Sequence, residues 1–405
     1  MILSIAWRNI WRNKVRSITI MLSIALGLFS GLLVLSLYQG MMNSRIRSVI
    51  ESEVGHIQLH HPKFKNDYEP EFVIKRGEDI LNQISKLPEV KFVAPRSISM
   101  GMLSTANGTA GVQINGVVPG LENNISQLKS KIQEGDDFDT LKRNQIMIGR
   151  KLAGKLKVRR GSRVVLTFTD PAGEIIAGAF KIRAIYKSEN TQLDESYVFI
   201  MKNDLNRLLN IDPDFHEIVI LLHHNEDVKP VNQKLKKIFS SLRSETWMEI
   251  SPETELMTKT VDQYSYIIMI IIMMALAFGI INTMLMAILE RTREIGMMLA
   301  LGTNRLRIFL LVLYETVILT LAGTPFGLFA SWLLISYFNK QGLDLSYLGS
   351  TEMLNNFGFG TMIYPEFPKE KLSGIVIIVI GTALISSLFP ALKAIRMQPV
   401  DALRK

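Results

Sequence analysis

Residues 264–289, YSYIIMIIIMMALAFGIINTMLMAIL, contain no charged side chain. About 20 apolar residues in a helix cross the hydrocarbon core of a bilayer, so this stretch predicts a transmembrane helix. The composition of the whole chain agrees, because 48% of its 405 residues are hydrophobic and only 20% are charged. We therefore expect an integral membrane protein.

Three further stretches are long and apolar enough to cross a bilayer. They are Ser17–Gln39, Ile308–Phe338 and Leu372–Leu392. With their flanking residues, they predict transmembrane helices at 17–44, 305–338 and 372–392, beside the one at 259–289. The third stretch contains Pro325, which lacks a backbone N–H and is expected to kink or break that helix near its outer side.

The basic residues that flank these spans predict the orientation of the chain. Four bases and no acid lie within residues 8–16, and four bases against one acid lie within 393–405. Because cytoplasmic flanks are enriched in Lys and Arg, we predict that both termini and residues 290–304 are cytoplasmic, with 45–258 and the loop 339–371 outside. Residues 1–16 predict an amphipathic helix on the inner surface. A cleaved signal peptide is the alternative for the first span, but no small-residue cleavage site follows it.

Residues 45–258 are polar and long enough for a large domain between the first two spans. Short alternating runs such as GVQINGVV, SRVVLTFT and AFKIRAIY predict strands, and GEDILNQISKL and VKPVNQKLKKIFSSL predict helices. The helices do not follow each strand in turn, which argues against a doubly wound parallel sheet. The predicted fold is therefore an α-helical membrane protein with four transmembrane helices and a large α+β extracytoplasmic domain inserted between the first two.

The chain offers little that predicts catalysis. It has no cysteine and no H-E-x-x-H, G-x-S-x-G or Walker A motif, so we expect no cofactor in this chain and no enzymatic activity. His56, His60 and His61 lie close in sequence, but His56 and His60 on one strand face would be about 13 Å apart, which favours a strand over a metal site. The acids within 134–139 lack the spacing of a calcium loop. The net charge of +9 is accounted for by the flanks of the spans rather than by nucleic-acid binding.

Two features of the spans are distinctive. Glu315 is a carboxylate within the third span, and such groups usually face protein or water. We expect it to snorkel or to pair with a nearby base, and a proton relay is the alternative. Two pairs of glycines at small-xxx-small spacing predict close packing of helices, namely Gly27 with Gly31 and Gly323 with Gly327.

Residues 290–304, ERTREIGMMLALGTN, form a charged insert between the second and third spans. Ile295, Met298 and Leu299 recur at helical spacing, while Gly302 is suited to end a helix and Thr303 to cap the next one. The spacing predicts a short amphipathic helix. Physical reasoning alone leaves two interpretations equally open, a contact site for a partner and a lipid-facing connector.

Four segments together resemble the ABC permeases of the MacB/FtsX-like superfamily. They are AWRNIWRNKVRS, IMIGRKLAGKLKVRRGSRVVLTF, ERTREIGMMLALGTNRLRI and PALKAIRMQPVDALRK, from both ends and the middle of the chain. The resemblance implies a permease in the bacterial inner membrane that pairs with a second permease chain, identical or related. It also implies two copies of a separate ATPase subunit, which bind ATP and Mg²⁺.

In this superfamily the loop after the second span is a coupling helix that docks onto the ATPase. The resemblance assigns that role to Glu290, Arg291, Arg293, Glu294, Ile295, Gly296, Met298, Leu299 and Gly302. ATP-driven motion would then pass through the spans to the outer domain. A membrane signalling receptor, with a sensing outer domain, is the alternative outside transport.

The segment GHIQLHHPKF after the first span is similar to the LolC/LolE type, which releases lipoproteins to a periplasmic carrier. Drug, peptide or toxin export of the MacB type and regulation of cell-wall hydrolases of the FtsX type are the alternatives. Lipoprotein extraction would need an apolar cleft near the outer ends of the first two spans, where methionine suits varied acyl chains. The candidates, which could equally be ordinary packing residues, are Leu35, Tyr38, Met41, Met42, Met257, Val261, Tyr264 and Ile268.

Overall fold

The computed structural model describes residues 8, 11, 12, 14–188, 190–344 and 362–396, apart from the side chains of residues 16, 52, 53, 261, 262 and 370. The predicted surface helix at 1–16 and the predicted tail at 393–405 therefore lie largely outside the described residues. The chain forms two compact units. The helical unit comprises the described residues up to Met42, Thr258–Asp344 and those from Met362 onward, and the inserted domain is Asn43–Met257.

The first long helix, α1, extends over Lys14–Val49 and continues into a π-helical turn at Ile50–Val54. The sequence predicted that this helix ends at residue 44. It continues because the chain offers no glycine or proline between Gly40 and Gly55. Gly55 follows the π-helical turn with φ of +70°, a conformation that glycine adopts without strain.

The inserted domain mixes strands and short helices. Its strands are β1 Ile57–His60, β2 Val90–Thr105, β3 Gly108–Val117, β4 Ile132–Gly135, β5 Gln145–Gly149, β6 Arg163–Thr169, β7 Ile175–Tyr186, β8 Tyr197–Met201, β9 Glu217–Leu222 and β10 Arg243–Thr246. Its helices are α2 Phe64–Asp67, α3 Gly77–Ile84, α4 Pro119–Ser126, α5 Arg150–Lys155, α6 Thr191–Ser196, α7 Lys202–Leu209, α8 Val228–Ile238 and α9 Trp247–Ile250. Short 3-10 turns lie at Leu128–Lys131 and Asn225–Asp227.

Strand β2 organises this domain, because it belongs to two sheets along its length. Its first half pairs with β9 in an antiparallel sheet of order β10-β1-β9-β2. Its second half pairs with β6 and β3, which closes the ring β2-β3-β8-β5-β7-β6 into a barrel. The pairs β3–β8 and β5–β7 are parallel and the others antiparallel, so the sheet is mixed rather than doubly wound.

Separate apolar clusters stabilise the two halves of the domain. Leu103, Ile114, Leu166 and other fully buried side chains fill the barrel. A second cluster packs the β10-β1-β9-β2 sheet against its helices and includes Phe215. Along β6 the buried side chains alternate with outward ones, as expected for a strand that buries one face. Strands β5 and β9 are instead buried along their whole length.

The remaining elements complete the helical unit. They are α10 Pro252–Glu290, α11 Thr292–Ala300, α12 Arg305–Gln341, β11 Leu343–Asp344, β12 Met362–Ile363, a 3-10 turn at Lys369–Lys371 and α13 Leu372–Ile395. Helices α1, α10, α12 and α13 are long and apolar enough to cross a membrane. The predicted fold class, four such helices with an α+β domain between the first two, is confirmed.

The helix ends differ from the predicted ones by a few residues, each for a local reason. Helix α10 begins at Pro252 rather than at 259, because proline is well accommodated in the first turn and Glu253 and Glu255 follow there. Helix α12 ends at Gln341 rather than at 338. The next residue, Gly342, has φ of +74°. Of the expected kink or break at Pro325, the break is wrong, since α12 runs through this residue without interruption. Neighbouring helices support such interior prolines in membrane proteins.

Candidate functional site

The connector, residues 290–304, contains helix α11 with a defined beginning and end. Arg291, with φ of −104°, separates α11 from α10. At the other end Gly302, with φ of +82°, donates its N–H to Leu299 O, and Thr303 donates to Met298 O. This pair of bonds is the Schellman arrangement, which satisfies carbonyls at a helix end and favours glycine. The predicted cap at Thr303 is wrong, since the Asn304 side chain accepts the N–H of Leu306 and caps α12.

One face of the connector is anchored in the helical unit. Ile295 is only 7% exposed, and Gly296 is also buried. Met298 and Leu299 pack against the same apolar core, whose members include Ile288 and Ile308. Ile295 therefore helps to hold the connector in place, whereas Met298 and Leu299 are only partly buried and keep some exposed surface.

The opposite face carries the side chains that a partner could contact. Arg293, Met297 and Leu301 follow one another at intervals of four residues and are all exposed, Met297 at 49% and Leu301 at 86%. We call these three residues the exposed stripe. Glu290 and Gly302 are exposed beside it, and so is Leu306 at 60%.

Met297, Leu301 and Leu306 were missed at the sequence level. An amphipathic pattern assigns apolar residues to the buried face, and here the apolar run MMLAL extends round both faces of a short helix. That excess of apolar residues was the sequence signal that could have predicted an exposed apolar surface. Contiguous exposed apolar side chains of this kind often indicate an interaction surface.

Ion pairs connect the connector to its neighbours in the helical unit. Glu294 accepts a hydrogen bond from the guanidinium of Arg12 and lies 3.8 Å from Arg291 Nε. Arg291 Nη1 lies 3.3 and 3.4 Å from the two carboxylate oxygens of Glu315 in α12. The intramembrane acid is thus paired with a base from the connector, and both side chains are at most 10% exposed.

The predicted glycine pairs lie where helices approach each other. A Cβ on Gly323 would lie 2.8 Å from Met21 O, and one on Gly327 the same distance from Ala25 O. Helices α12 and α1 therefore meet backbone to backbone. Gly27 and Gly31 face side chains of α10 instead, with Leu276 closest to Gly27 and Ile272 closest to Gly31.

The predicted cleft residues do not share one environment. Leu35 and Met42 are 5% and 4% exposed, and Leu35 belongs to the core of the helical unit. Thr258 donates to Met42 Sδ at 3.3 Å, so this end of α1 packs against the start of α10. Tyr264 is 55% exposed. Intermediate solvent exposure is found at Tyr38, Met41, Met257 and Ile268. The side chain of Val261 lies outside the described residues. Leu35 and Met42 are thus packing residues here rather than a ligand surface.

The three histidines singled out from the sequence have structural partners. His56 Nδ1 accepts the N–H of Leu222 at 3.1 Å, and His60 Nε2 lies 3.0 Å from Glu245 Oε2. His61 stacks on Phe72 with ring centroids 4.9 Å apart. In the part of the chain that the structure describes, no group of three or more His, Asp or Glu side chains is arranged to hold a metal ion.

His216 was not singled out from the sequence, yet it links separate segments of the domain. Its Nδ1 accepts the N–H of Ile98 at 2.9 Å and its Nε2 donates to Pro70 O at 3.1 Å. Only the neutral imidazole with its proton on Nε2 can make both of these hydrogen bonds. Burial agrees with this assignment, since it lowers the pKa of His216 from 6.5 to about 4.

Comparison with known families identifies the chain. The MacB-like periplasmic core domain family matches residues 17–238, more than half of the sequence. The chain is a permease of the MacB/FtsX-like ABC transporter superfamily. The FtsX-like permease C-terminal family matches residues 266–399 of the permease, which include the connector.

The relatives of this permease share low sequence identity with it. It is 24% identical to the macrolide export ATP-binding/permease protein MacB of Campylobacter fetus, over 96% of this chain and 59% of that protein. It is 23% identical to the pyoverdine export ATP-binding/permease protein PvdT of Pseudomonas syringae, over 98% and 58% respectively. An uncharacterized ABC transporter permease of Methanocaldococcus jannaschii is 25% identical over 56% of this chain and 55% of that one. The chain thus spans less than two thirds of these relatives.

Among solved structures, the permease is similar to the periplasmic region of MacB from Actinobacillus actinomycetemcomitans. The TM-score is 0.36 and the identity 12%, over 52% of this chain and 95% of that one.

Proposed function

We propose that this permease receives ATP-driven motion from a separate ATPase subunit at the connector and passes it to the inserted domain. The observation that carries the proposal is the exposed stripe, a base and two apolar side chains on an otherwise anchored helix. Leu301 at 86% exposure has apolar surface that a partner would remove from water. The chain itself has no Walker A sequence with which to bind nucleotide.

The anchoring of the connector suits it to transmit force. Ile295 fixes it to the apolar core, Arg291 ties it to Glu315 of α12, and Glu294 ties it to Arg12. A displacement of the stripe would therefore move α10 and α12 together rather than only the connector. Close-packed interiors transmit such displacements because they have little free volume.

The proposal includes a topology and an assembly. The connector and both termini lie in the cytoplasm of a bacterial inner membrane, with the inserted domain on the periplasmic side, as the basic flanks suggest. Two permease chains, identical or related, assemble with two ATPase subunits that bind ATP and Mg²⁺.

Substitution of the stripe tests the docking step. In Met297→Asp and Leu301→Asp, a charge replaces exposed apolar surface, so we expect the ATPase to be lost from the purified complex. Leu141→Asp is the matched control, because Leu141 is an exposed leucine, at 93%, in the inserted domain. These variants are cleaner than Leu299→Asp or Glu294→Lys, since Leu299 packs into the core and Glu294 is ion-paired.

The readouts are co-purification of the ATPase and its hydrolysis rate in the complex. Retention of the ATPase by both stripe variants, at the level of the Leu141→Asp control, would overturn the docking proposal. An intact complex whose hydrolysis is independent of the permease would favour the sensor alternative.

For the cargo, we propose release of lipoproteins to a periplasmic carrier, on the similarity of GHIQLHHPKF to the LolC/LolE type. The second candidate is export of a small molecule, because the relatives named above include macrolide and pyoverdine exporters. Tyr264 is the most exposed of the cleft candidates whose side chains the structure describes, so an amphipathic cargo could reach it.

Depletion of the permease separates the two cargoes. If lipoproteins are the cargo, triacylated lipoproteins should accumulate in the inner membrane as the permease disappears. Normal lipoprotein release together with a raised sensitivity to macrolides would contradict lipoprotein release and favour export.

A further inference from the structure

A groove lies in the helical unit between the beginning of α1 and the end of α10. It is a cavity of about 620 Å³, a volume typical of ligand sites. Its apolar lining includes Val15 from α1 and Met286 and Ala287 from α10. Arg12, Lys14 and Glu290 line the same groove with charged groups. One groove thus combines an apolar wall with charges of both signs.

The charged and apolar parts of the groove lie at different depths. Helices α1 and α10 are antiparallel here, since Gly27 faces Leu276 and Gly31 faces Ile272. Lys14 precedes the apolar span that begins at Ser17, and Glu290 ends α10, so both lie at the ends of the apolar segments. Thr19, which also lines the groove, lies five residues further along α1 than Lys14, about 7.5 Å at the helical rise per residue. The groove therefore extends from the level of lipid headgroups toward the hydrocarbon.

The charges at the mouth of the groove are not all neutralised by the protein. Arg12 is paired with Glu294. Lys14 and Glu290 make no ion pair with any residue that the structure describes, and both are exposed. Among the described side chains that line the mouth, Lys14 and Glu290 are thus a base and an acid without an ion pair, which match a zwitterion and not an anion.

We propose that this groove binds a phospholipid with an ethanolamine headgroup. Lys14 contacts the phosphate, Glu290 accepts hydrogen bonds from the primary ammonium, and one acyl chain lies along Val15 and Met286. Ile18 and Leu22, exposed at 49% and 55% on the next turns of α1, extend the apolar surface. The lipid proposal does not rest on the proposed docking of an ATPase, although Glu290 also lies beside the exposed stripe.

The headgroup chemistry distinguishes this lipid from others. Phosphatidylglycerol has no ammonium and would leave Glu290 beside a net anion. Phosphatidylcholine has the same charges as phosphatidylethanolamine, but its methylated nitrogen has no N–H to donate to Glu290. A hydrogen-bonded ion pair at an exposed site stabilises by a small amount, so we expect a preference for ethanolamine of about threefold to fivefold.

The experiment uses the full chain in detergent, exchanged into an equimolar mixture of the three phospholipids with identical acyl chains. Native mass spectrometry measures which lipid stays bound. Retention of phosphatidylethanolamine about threefold or more above phosphatidylcholine supports the proposal. Equal retention of all three lipids, or no retained lipid, overturns the proposal.

Variants then assign the headgroup contacts. Glu290→Gln should abolish the preference for ethanolamine over choline, and Lys14→Gln should lower retention of all three lipids. Lys340→Gln is the control, because Lys340 is an exposed base at the opposite end of α12. An unchanged lipid preference in both Lys14→Gln and Glu290→Gln contradicts the assignment.

A final competition experiment distinguishes binding of a lipid from binding of a soluble phosphate ester. Glycerophosphoethanolamine has the same headgroup without acyl chains, so it should compete poorly with the intact lipid. Competition at equal concentration would mean that the groove recognises a soluble phosphate ester, and the lipid assignment would be wrong.

Discussion

Arg291 of the connector and Glu315 of α12 form an ion pair with 3.3 Å between Arg291 Nη1 and the nearer carboxylate oxygen. They are 24 residues apart, and both are largely buried. The pair places a base of the connector next to an acid within the apolar helix α12. A buried pair of this kind contributes little net stability, but the loss of one partner leaves a buried charge without compensation.

Glu315→Ala should therefore be more destabilising than Glu315→Gln. We expect the alanine variant to lose about 3 kcal/mol of unfolding free energy, because buried Arg291 loses the acid that faces its Nη1. Gln retains a carbonyl oxygen that can accept from Arg291, so its loss should be smaller. Thermal unfolding of the full chain in detergent measures the difference.

The double variant Arg291→Met, Glu315→Met is the control for this interpretation. It removes both charges, so it should be more stable than Glu315→Ala. Equal stability of Glu315→Gln and Glu315→Ala, with loss of a proton-dependent activity in both, would instead support the proton-relay alternative.

Gly323 and Gly327 should tolerate no larger side chain. Valine at either position would place carbon atoms against the backbone of α1, and overpacking of this kind costs about 1 to 3 kcal/mol. Gly279→Val is the matched control, because a Cβ on that glycine of α10 meets nothing within 4 Å. Thermal unfolding in detergent compares the variants. Similar melting temperatures for Gly323→Val and Gly279→Val would contradict the close contact.

Gly302→Ala should loosen the end of the connector. Its φ of +82° is strained for any residue with a Cβ, at a cost of about 1 kcal/mol. Hydrogen–deuterium exchange of residues 292–304 should become faster, while the core of α10 should not change. Gly381→Ala, at an open position within α13, provides the comparison. Equal exchange rates in the two variants would show that Gly302 is not needed for its conformation.

His216 should make the inserted domain sensitive to acid. Its folded pKa of about 4 lies below the ordinary value of 6.5, so its stabilising contribution is present above pH 6.5 and is lost as the pH falls through 4. The loss amounts to about 3 kcal/mol at most. Hydrogen exchange near Ile98 in the full chain, measured between pH 7 and pH 4 and corrected for intrinsic rates, follows this change.

In His216→Gln that dependence should become weaker, since Gln can accept from Ile98 and donate to Pro70 without titrating. His224→Gln is the control, because His224 is an exposed histidine of the same domain. The assignment fails if His216→Gln and His224→Gln lose protection near Ile98 equally between pH 7 and pH 4.

Much of the fold could be predicted from local sequence. Long uncharged runs predict the spans because a bilayer core excludes charge and water, and α1, α10, α12 and α13 each include one of them. The hairpin between β6 and β7 was predictable from the turn TDPAGE, where Gly173 has φ of +83°. Strand β2 was not predicted. It pairs with the neighbouring β3, and its two halves also pair with β9 and β6, which lie far along the chain.

The sequence by itself determined the membrane class, the place of the inserted domain and the existence of the connector helix, because these follow from hydrophobicity and periodicity over short stretches. Only the tertiary structure decided which face of the connector is exposed. Ile295 and Met297 are both apolar, yet one packs into the core and the other is exposed. It also decided that Arg291 is the base beside Glu315 and that Leu35 is a packing residue. Each of these depends on which helices lie side by side, and that contact is made between residues distant in sequence.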